Sequence, residues 1–368
     1  MREAAGWTET SPHLLGADPA GVERAWALVR ERGTAARLCV LRDGKVLVDR
    51  AFGCSHDAMF WTFSAGKPYV ALLVHHLAVG GALSLDDPVS RFWPQFAAHG
   101  KEAVTLRHVL RHRSGLSHAR GALGDAHAMT DWERSVRNIE RAAPRWQPGE
   151  VPAYQAVIFG FILGEVARRV TGRPVAELLR ETFLAPLGLD DTHLGLPDEL
   201  WSRHVPVRGR GPAARLAERV VNRPATRRAV IPSAGVSVTA RDLARFYQAL
   251  LYGGELDGVR VLPERAVREA RRPSTRDGEV DRAVGLPIRW AQGFQLGGPG
   301  ADPARRRPMG RLSSTETFGH NGSNCCLAWA DPGRRLVFVH LTGLLTPGRE
   351  GAHHHSAVSD AILAACTE

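Results

Sequence analysis

The sequence predicts a mixed α/β chain of the α+β kind, one antiparallel sheet flanked by helices and interrupted by a long helical insertion. Three observations predict it. Segments with strand character gather at the two ends of the chain, segments with helical periodicity fill the middle, and short turn sequences suited to antiparallel hairpins join the strands. A chain of 368 residues can bury a large core. Its 44% hydrophobic and 23% charged residues are ordinary for a globular protein, so pattern and not bulk composition carries the reading.

Taken in order, Pro19 to Arg32 places Val22, Ala25, Trp26, Leu28 and Val29 at helical spacing, with Gly33 as its C-cap. The period then switches, and Leu38 to Leu41 and Val46 to Val48 read as a hairpin turning at Asp43-Gly44. A helix from Gly66 to Val79 follows, marked as buried by Val70-Ala71-Leu72-Leu73-Val74 and closed by Gly80-Gly81. Further helices are expected from Leu106, over Val157 to Val170 and over Val175 to Leu184. Ser237 to Leu251 reads as amphipathic with Thr239 as N-cap, and Pro263 to Ala270 as a short helix before a loop from Arg271 to Pro287. Strand signals return at Trp290 to Leu296, Ser314 to His320, Cys326 to Asp331 and Leu336 to Leu341. The last helix is expected over His355 to Cys366, with His353 to His355 as its fraying start. No internal repeat is present, and one catalytic domain is expected, with a sheet lobe over residues 1–63 and 230–368 and a helical lobe over 64–229.

The formal net charge of +10 invites a nucleic-acid reading, yet the basic residues are scattered instead of clustered into a footprint. One concentration stands out, Arg203 to Arg228, which reads as a solvated loop or as a contact for an anionic substrate. Five cysteines, Cys39, Cys54, Cys325, Cys326 and Cys366, lack metal spacing and form an odd set, which argues for a reducing compartment. The N-terminus lacks the basic start and apolar run of an export signal, and no apolar run reaches membrane-spanning length, so a cytoplasmic location is expected.

Chemistry concentrates at Trp61-Thr62-Phe63-Ser64-Ala65-Gly66-Lys67-Pro68-Tyr69. Residues three apart share a helix face, so the Ser64 hydroxyl and the Lys67 amine are expected to meet. The chain has only three lysines, Lys45, Lys67 and Lys101, among 48 basic residues. Arginine cannot surrender its proton, whereas a desolvated lysine can act as the neutral base that a serine nucleophile needs. Among four tyrosines, Tyr69, Tyr154, Tyr247 and Tyr252, Tyr154 stands at a loop-to-helix junction after the rigid Trp146 to Ala153 stretch. A phenol there can shuttle protons or simply pack. His108 and His112 have the four-residue spacing of metal ligands on a helix, but no glutamate accompanies them as in a zinc peptidase, and neither a metal nor a cofactor is expected.

Phe63-Ser64-Ala65-Gly66-Lys67, Leu110-Arg111-His112-Arg113-Ser114-Gly115-Leu116, Pro148-Gly149 before Tyr154, Pro186-Leu187-Gly188-Leu189 and Phe318-Gly319-His320-Asn321-Gly322 stand together in an order that resembles the class C β-lactamase-like serine hydrolases, and among them the carboxylesterases of family VIII. The resemblance, covering Leu38 to Leu341, implies an antiparallel sheet flanked by helices, an all-helical lobe and a site between the two. It implies Ser64 as acylated nucleophile, Lys67 as its base, Tyr154 as proton relay, and His320 in the place of the strand lysine of β-lactamases. It further implies an oxyanion hole from the backbone N–H groups of Ser64 and Ser323, and substrate contacts at Gln155, Asn321 and Gly322. Two departures oppose β-lactamase activity. The family's Tyr-x-Asn is here Tyr154-Gln155-Ala156, and histidine replaces the strand lysine. The expected substrate is a small-molecule ester hydrolysed through an acyl-enzyme. The alternatives are transfer of the acyl group to an amine, as in enzymes resembling the ester-to-amide exchangers of capuramycin-type antibiotic biosynthesis, or a non-catalytic penicillin-recognising sensor or scaffold.

Overall fold

The computed structural model describes residues 7–298, 307–346 and 348–367. Helix α1 (Pro19–Glu31) is capped by the Asp18 carboxylate, which accepts from the Ala20 and Gly21 amides, and leads into β1 (Ala36–Arg42) and β2 (Lys45–Phe52). After a tight turn over Phe63–Gly66 come α2 (Lys67–Val79), α3 (Ile158–Thr171) and α4 (Ala240–Leu251), the last capped by the Thr239 hydroxyl. The chain then returns to the sheet through β3 (Gln295–Leu296), β4 (Phe318–Gly322), β5 (Cys326–Asp331) and β6 (Leu336–Thr342), and ends in α5 (Arg349–Ala365).

These six strands form one antiparallel sheet in the order β3-β4-β5-β6-β1-β2. Both faces are covered, which is why β6, Leu-Val-Phe-Val-His-Leu-Thr, is buried along its whole length instead of alternating with solvent. Leu38, Val40, Leu327, Trp329 and Phe338 face the core beneath α1 and α5, while Cys39, Leu41, Ala328, Val337 and Val339 face the core beneath α4. Trp329 and Phe338 are register partners and stack with centroids 4.9 Å apart. A separate apolar core, including Val74, Trp93, Leu110, Phe161 and Ile162, holds the helical region together. Helix α2 is apolar on all sides because it lies between α3 and the helix Glu264–Arg271, and residues 67 to 75 are buried. Among the described residues no helix is long and apolar enough to cross a membrane.

Several expectations are corrected. The strand expected over Trp290 to Leu296 is reduced to Gln295–Leu296, because Gly293 at φ 97° folds the segment back and Trp290 bridges to Gln295. Ser314 to Thr317 forms a turn closed by the Thr317 hydroxyl on the Ser314 amide, 3.0 Å, so β4 starts only at Phe318. Ser237 belongs to a strand, Val236–Val238, and α4 begins after its cap. The last helix starts at Arg349, so His353 to His355 lie inside it and His355 is fully buried. The arginine-rich stretch is no loop. It contains the helices Pro212–Val221 and Pro224–Arg228, and Arg227 is buried, donating to the Val221 carbonyl at 2.7 Å.

Candidate active site

The site begins with strain. Phe63 has φ 48°, a left-handed conformation that bulky residues avoid, and it opens the turn that presents Ser64 just before α2. The turn is tied down where Thr62 donates both its amide and its hydroxyl to the Val236 carbonyl, each at 2.9 Å. From the other side Gly322 of β4 presses against it: a Cβ there would lie 1.9 Å from the Thr62 carbonyl oxygen, so only glycine allows the sheet to approach. Pro68 sits in the first turn of α2, where its missing N–H breaks no helical bond.

Lys67, one turn on, is fully buried, and its Nζ lies 3.1 Å from Ser64 Oγ, 2.7 Å from the Ala156 carbonyl and 3.2 Å from the Ser233 carbonyl. Burial pushes its pKa well below the ordinary 10.5. A neutral amine has two N–H donors and one lone pair. In the neutral form the two carbonyls take the donors and the lone pair faces Ser64 Oγ. Tyr154 Oη stands 2.6 Å from Ser64 Oγ on the other side and donates to it, and burial raises the phenol above its ordinary 10.0. The Tyr154 ring is stacked on Trp290, centroids 5.1 Å apart and planes 2° from parallel, and meets His112 edge-on at 4.9 Å.

His320 is buried, its ring 6.3 Å from that of Tyr154 and 5.9 Å from that of Trp290. Its Nδ1 donates to the Asn321 carbonyl at 2.9 Å, and Nε2 has no partner among the described residues. Burial above all pushes its pKa down to about 3, so the residue in the place of the strand lysine is a neutral imidazole. Gln155 also departs from expectation. It is fully buried with its amide nitrogen on Ser114 Oγ at 2.9 Å, and it is not among the residues that line the cleft above Ser64. Gly322 serves the close packing described above. Asn321 and Ser323 do line the cleft, and Asn321 is fixed by Gln295, whose Oε1 accepts from its amide at 2.9 Å, and by a side-chain bond to Asn324 at 2.8 Å.

His108 and His112 do not form a ligand pair, because the helix Leu106–Leu110 ends before His112, which takes φ 55°. The His108 imidazole caps that helix, accepting from the Thr105 amide at 3.3 Å, and His112 Nδ1 accepts from the Gln155 amide at 3.3 Å. Among the described residues no cluster could hold a metal ion.

The cleft above Ser64 measures about 290 Å³. Tyr154 and Trp290 form part of its wall, Val284, Leu286, Pro287, Ile288, Leu296 and Met309 supply an apolar side, and Arg289 and Arg307 add charge. Sequence reasoning missed Ser233. Its hydroxyl accepts from the Gly160 amide at 2.6 Å and donates to the Val157 carbonyl at 2.7 Å, an approach that a side chain at Gly160 would block, and so its own carbonyl is held on Lys67.

The chain matches the family model described as Beta-lactamase over residues 25–362. It is 33% identical over 373 residues to the esterase/beta-lactamase LipL of Mycobacterium tuberculosis, across 90% of this chain and 83% of that protein. Esterase EstB of Burkholderia gladioli is 29% identical, across 80% of this chain and 83% of its own length. Among solved structures, a family VIII carboxylesterase superimposes with a TM-score of 0.81 at 27% identity, covering 95% of this chain and 98% of that one. With the serine, lysine and tyrosine assembled on that fold, and the family model matching nearly from end to end, the chain belongs to the beta-lactamase family.

Proposed function

We propose that the protein is a serine carboxylesterase that hydrolyses a small ester through an acyl-enzyme on Ser64. The observation that carries this reading is the position of Ser64 Oγ between Lys67 Nζ and Tyr154 Oη, 3.1 and 2.6 Å away, at the foot of an open cleft. Lys67 takes the hydroxyl proton as Oγ attacks the carbonyl carbon, and the carbonyl electron pair moves onto its oxygen. The backbone N–H groups of Ser64 and Ser323 hold that oxyanion, each such donor contributing roughly 3–4 kcal/mol of barrier lowering. On collapse the carbon–oxygen bond to the alcohol breaks, Tyr154 protonates the leaving alkoxide, and Lys67 restores the phenol. Water then repeats the sequence in reverse on the acyl group, returning Ser64 and releasing the acid.

Support for an ester over a β-lactam comes from electrostatics. A neutral His320 supplies no fixed positive charge at the strand position next to Ser64, where β-lactamases carry a lysine, and no side-chain amide follows Tyr154 in the cleft, although Arg289 and Arg307 line its wall. The similarity to EstB agrees with ester chemistry, while LipL is named for both esterase and beta-lactamase. The test is turnover of p-nitrophenyl butyrate with and without a primary amine, with products identified by mass spectrometry. Free acid in both conditions is expected. Amide formed in preference to acid would establish the transacylase instead, and an acyl adduct that never decays would establish the sensor.

A further inference from the structure

Asp281 lies outside every motif discussed so far, and its carboxylate is fully buried. Oδ1 accepts from the amides of Tyr154 at 3.1 Å, Ala283 at 2.9 Å and Val284 at 2.9 Å. Oδ2 accepts from the indole Nε1 of Trp290 at 3.0 Å. One side chain thus binds the backbone of the proton relay, the ring stacked flat against that relay, and the turn that carries Val284 into the cleft wall. The neighbouring Arg282 amide donates to the Pro152 carbonyl at 2.8 Å, which draws the same segment onto the strand of chain entering Tyr154.

From this geometry we infer that Asp281 is a positioning residue for the acyl-transfer step, fixing the Tyr154 phenol over Ser64 Oγ through Trp290 and the Tyr154 backbone. The inference rests on the proposed function above. Its physical basis is that a carboxylate has lone pairs enough for several N–H donors at once, whereas a buried carboxylate is costly unless they are all supplied. A phenol swinging about its own Cα–Cβ bond can leave the nucleophile while remaining packed. Pinning both the Tyr154 amide and the indole plane removes that freedom. Displacements of about 1 Å at reacting groups cost on the order of 100-fold in rate.

The test uses Asp281→Asn, Trp290→Phe and the double variant, assayed with p-nitrophenyl butyrate alongside labelling by a fluorophosphonate. In Asp281→Asn the amide oxygen can keep the three backbone bonds, while its NH₂ meets the indole N–H donor to donor, so only the Trp290 arm is broken. The expected result is a kcat lower by roughly 10- to 100-fold with KM within about 3-fold. The double variant should be little worse than Trp290→Phe, because the two changes remove one interaction. Tryptophan emission should change in Asp281→Asn but not when the same change is made in Trp290→Phe, which singles out this indole among nine. Unchanged kcat, or fully additive losses, would overturn the inference. If Asp281→Asn does not fold, Trp290→Phe decides: a matching fall in kcat supports the role and wild-type kcat removes it. Wild-type protein left unlabelled at Ser64 overturns the parent reading and this one with it, whereas labelled wild type with unaffected variants overturns the role of Asp281 alone.

Discussion

Replacing Lys67 by arginine separates charge from basicity at the centre of the site. The nitrogen is fully buried, its contacts are one hydroxyl and two backbone carbonyls, and burial is what holds its pKa below 10.5. A guanidinium cannot release its proton in such a place. Lys67→Arg therefore loses general-base assistance, roughly 10²- to 10⁴-fold in kcat, or about 3–5.5 kcal/mol of barrier. It also fixes a charge, on a larger side chain, in a site built for a neutral amine, so stability should fall by several kcal/mol as well. Lys67→Met loses the base without adding the charge, and a comparable fall in kcat with stability retained is expected. The pH dependence has a definite sign. Because the folded pKa lies below the unfolded one, the folded protein binds fewer protons, and the cost of burying Lys67 is full below its folded pKa and is relieved as pH rises toward 10.5. The stability of Lys67→Met relative to wild type should accordingly be greatest on the acid side. Steady-state kinetics across pH, paired with urea unfolding of both variants, measures all of this. A kcat for Lys67→Arg within about 3-fold of wild type would refute the assignment of the base.

Other outcomes follow from the same geometry. Tyr154→Phe keeps the Trp290 stack but removes the oxygen 2.6 Å from Ser64 Oγ, and should lower kcat by roughly 10²- to 10⁴-fold with an unchanged unfolding midpoint. Gly322→Ala drives a Cβ to 1.9 Å from the Thr62 carbonyl, so the sheet and the Ser64 turn must separate; a stability loss of roughly 1–3 kcal/mol by urea unfolding, together with lost turnover, is expected. His354 and His355 of α5 meet His340 of β6, with the His340 and His355 Nδ1 atoms 3.1 Å apart and Arg32 nearby. Burial pushes His354 and His355 down to about 3, so the folded state keeps them neutral while the unfolded chain takes up protons below 6.5. Stability should fall as pH drops from 6.5 toward about 3, and His355→Gln should lessen that fall by roughly 2 kcal/mol near pH 5, read from unfolding curves.

How much of this was legible in the sequence depends on how local each feature is. Ser64 and Lys67 lie three positions apart, and helical geometry alone brings them together, so their meeting could be read directly. The hairpin at Asp43-Gly44 and the strands β5 and β6 were legible for the same reason, since turn chemistry and apolar runs are local signals. Tyr154 was singled out by its setting and by resemblance, but its contact with Ser64 spans 90 residues of chain and no spacing encodes it. The carbonyls of Ala156 and Ser233 were invisible because every residue carries one, and only the folded chain selects which two meet the amine. Burial misled in two places. Histidine at 320 stands where a lysine would, and only its desolvation shows it to be neutral, and Gln155 reads as a substrate contact until its side chain is found bonded to Ser114. The arginine-rich helices were missed because Gly and Pro punctuate them as they would a loop, while Arg227 donates through Nε to the Val221 carbonyl and through Nη2 to the Val205 carbonyl, contacts that only the folded chain brings together.

Intact-protein mass spectrometry during turnover of p-nitrophenyl butyrate tests the acyl-enzyme most directly. The predicted result is a butyryl adduct that maps to Ser64, accumulates within the first turnovers, decays as free acid appears, and is absent from Ser64→Ala. Full ester turnover by Ser64→Ala, or an adduct confined to another residue, would contradict the account.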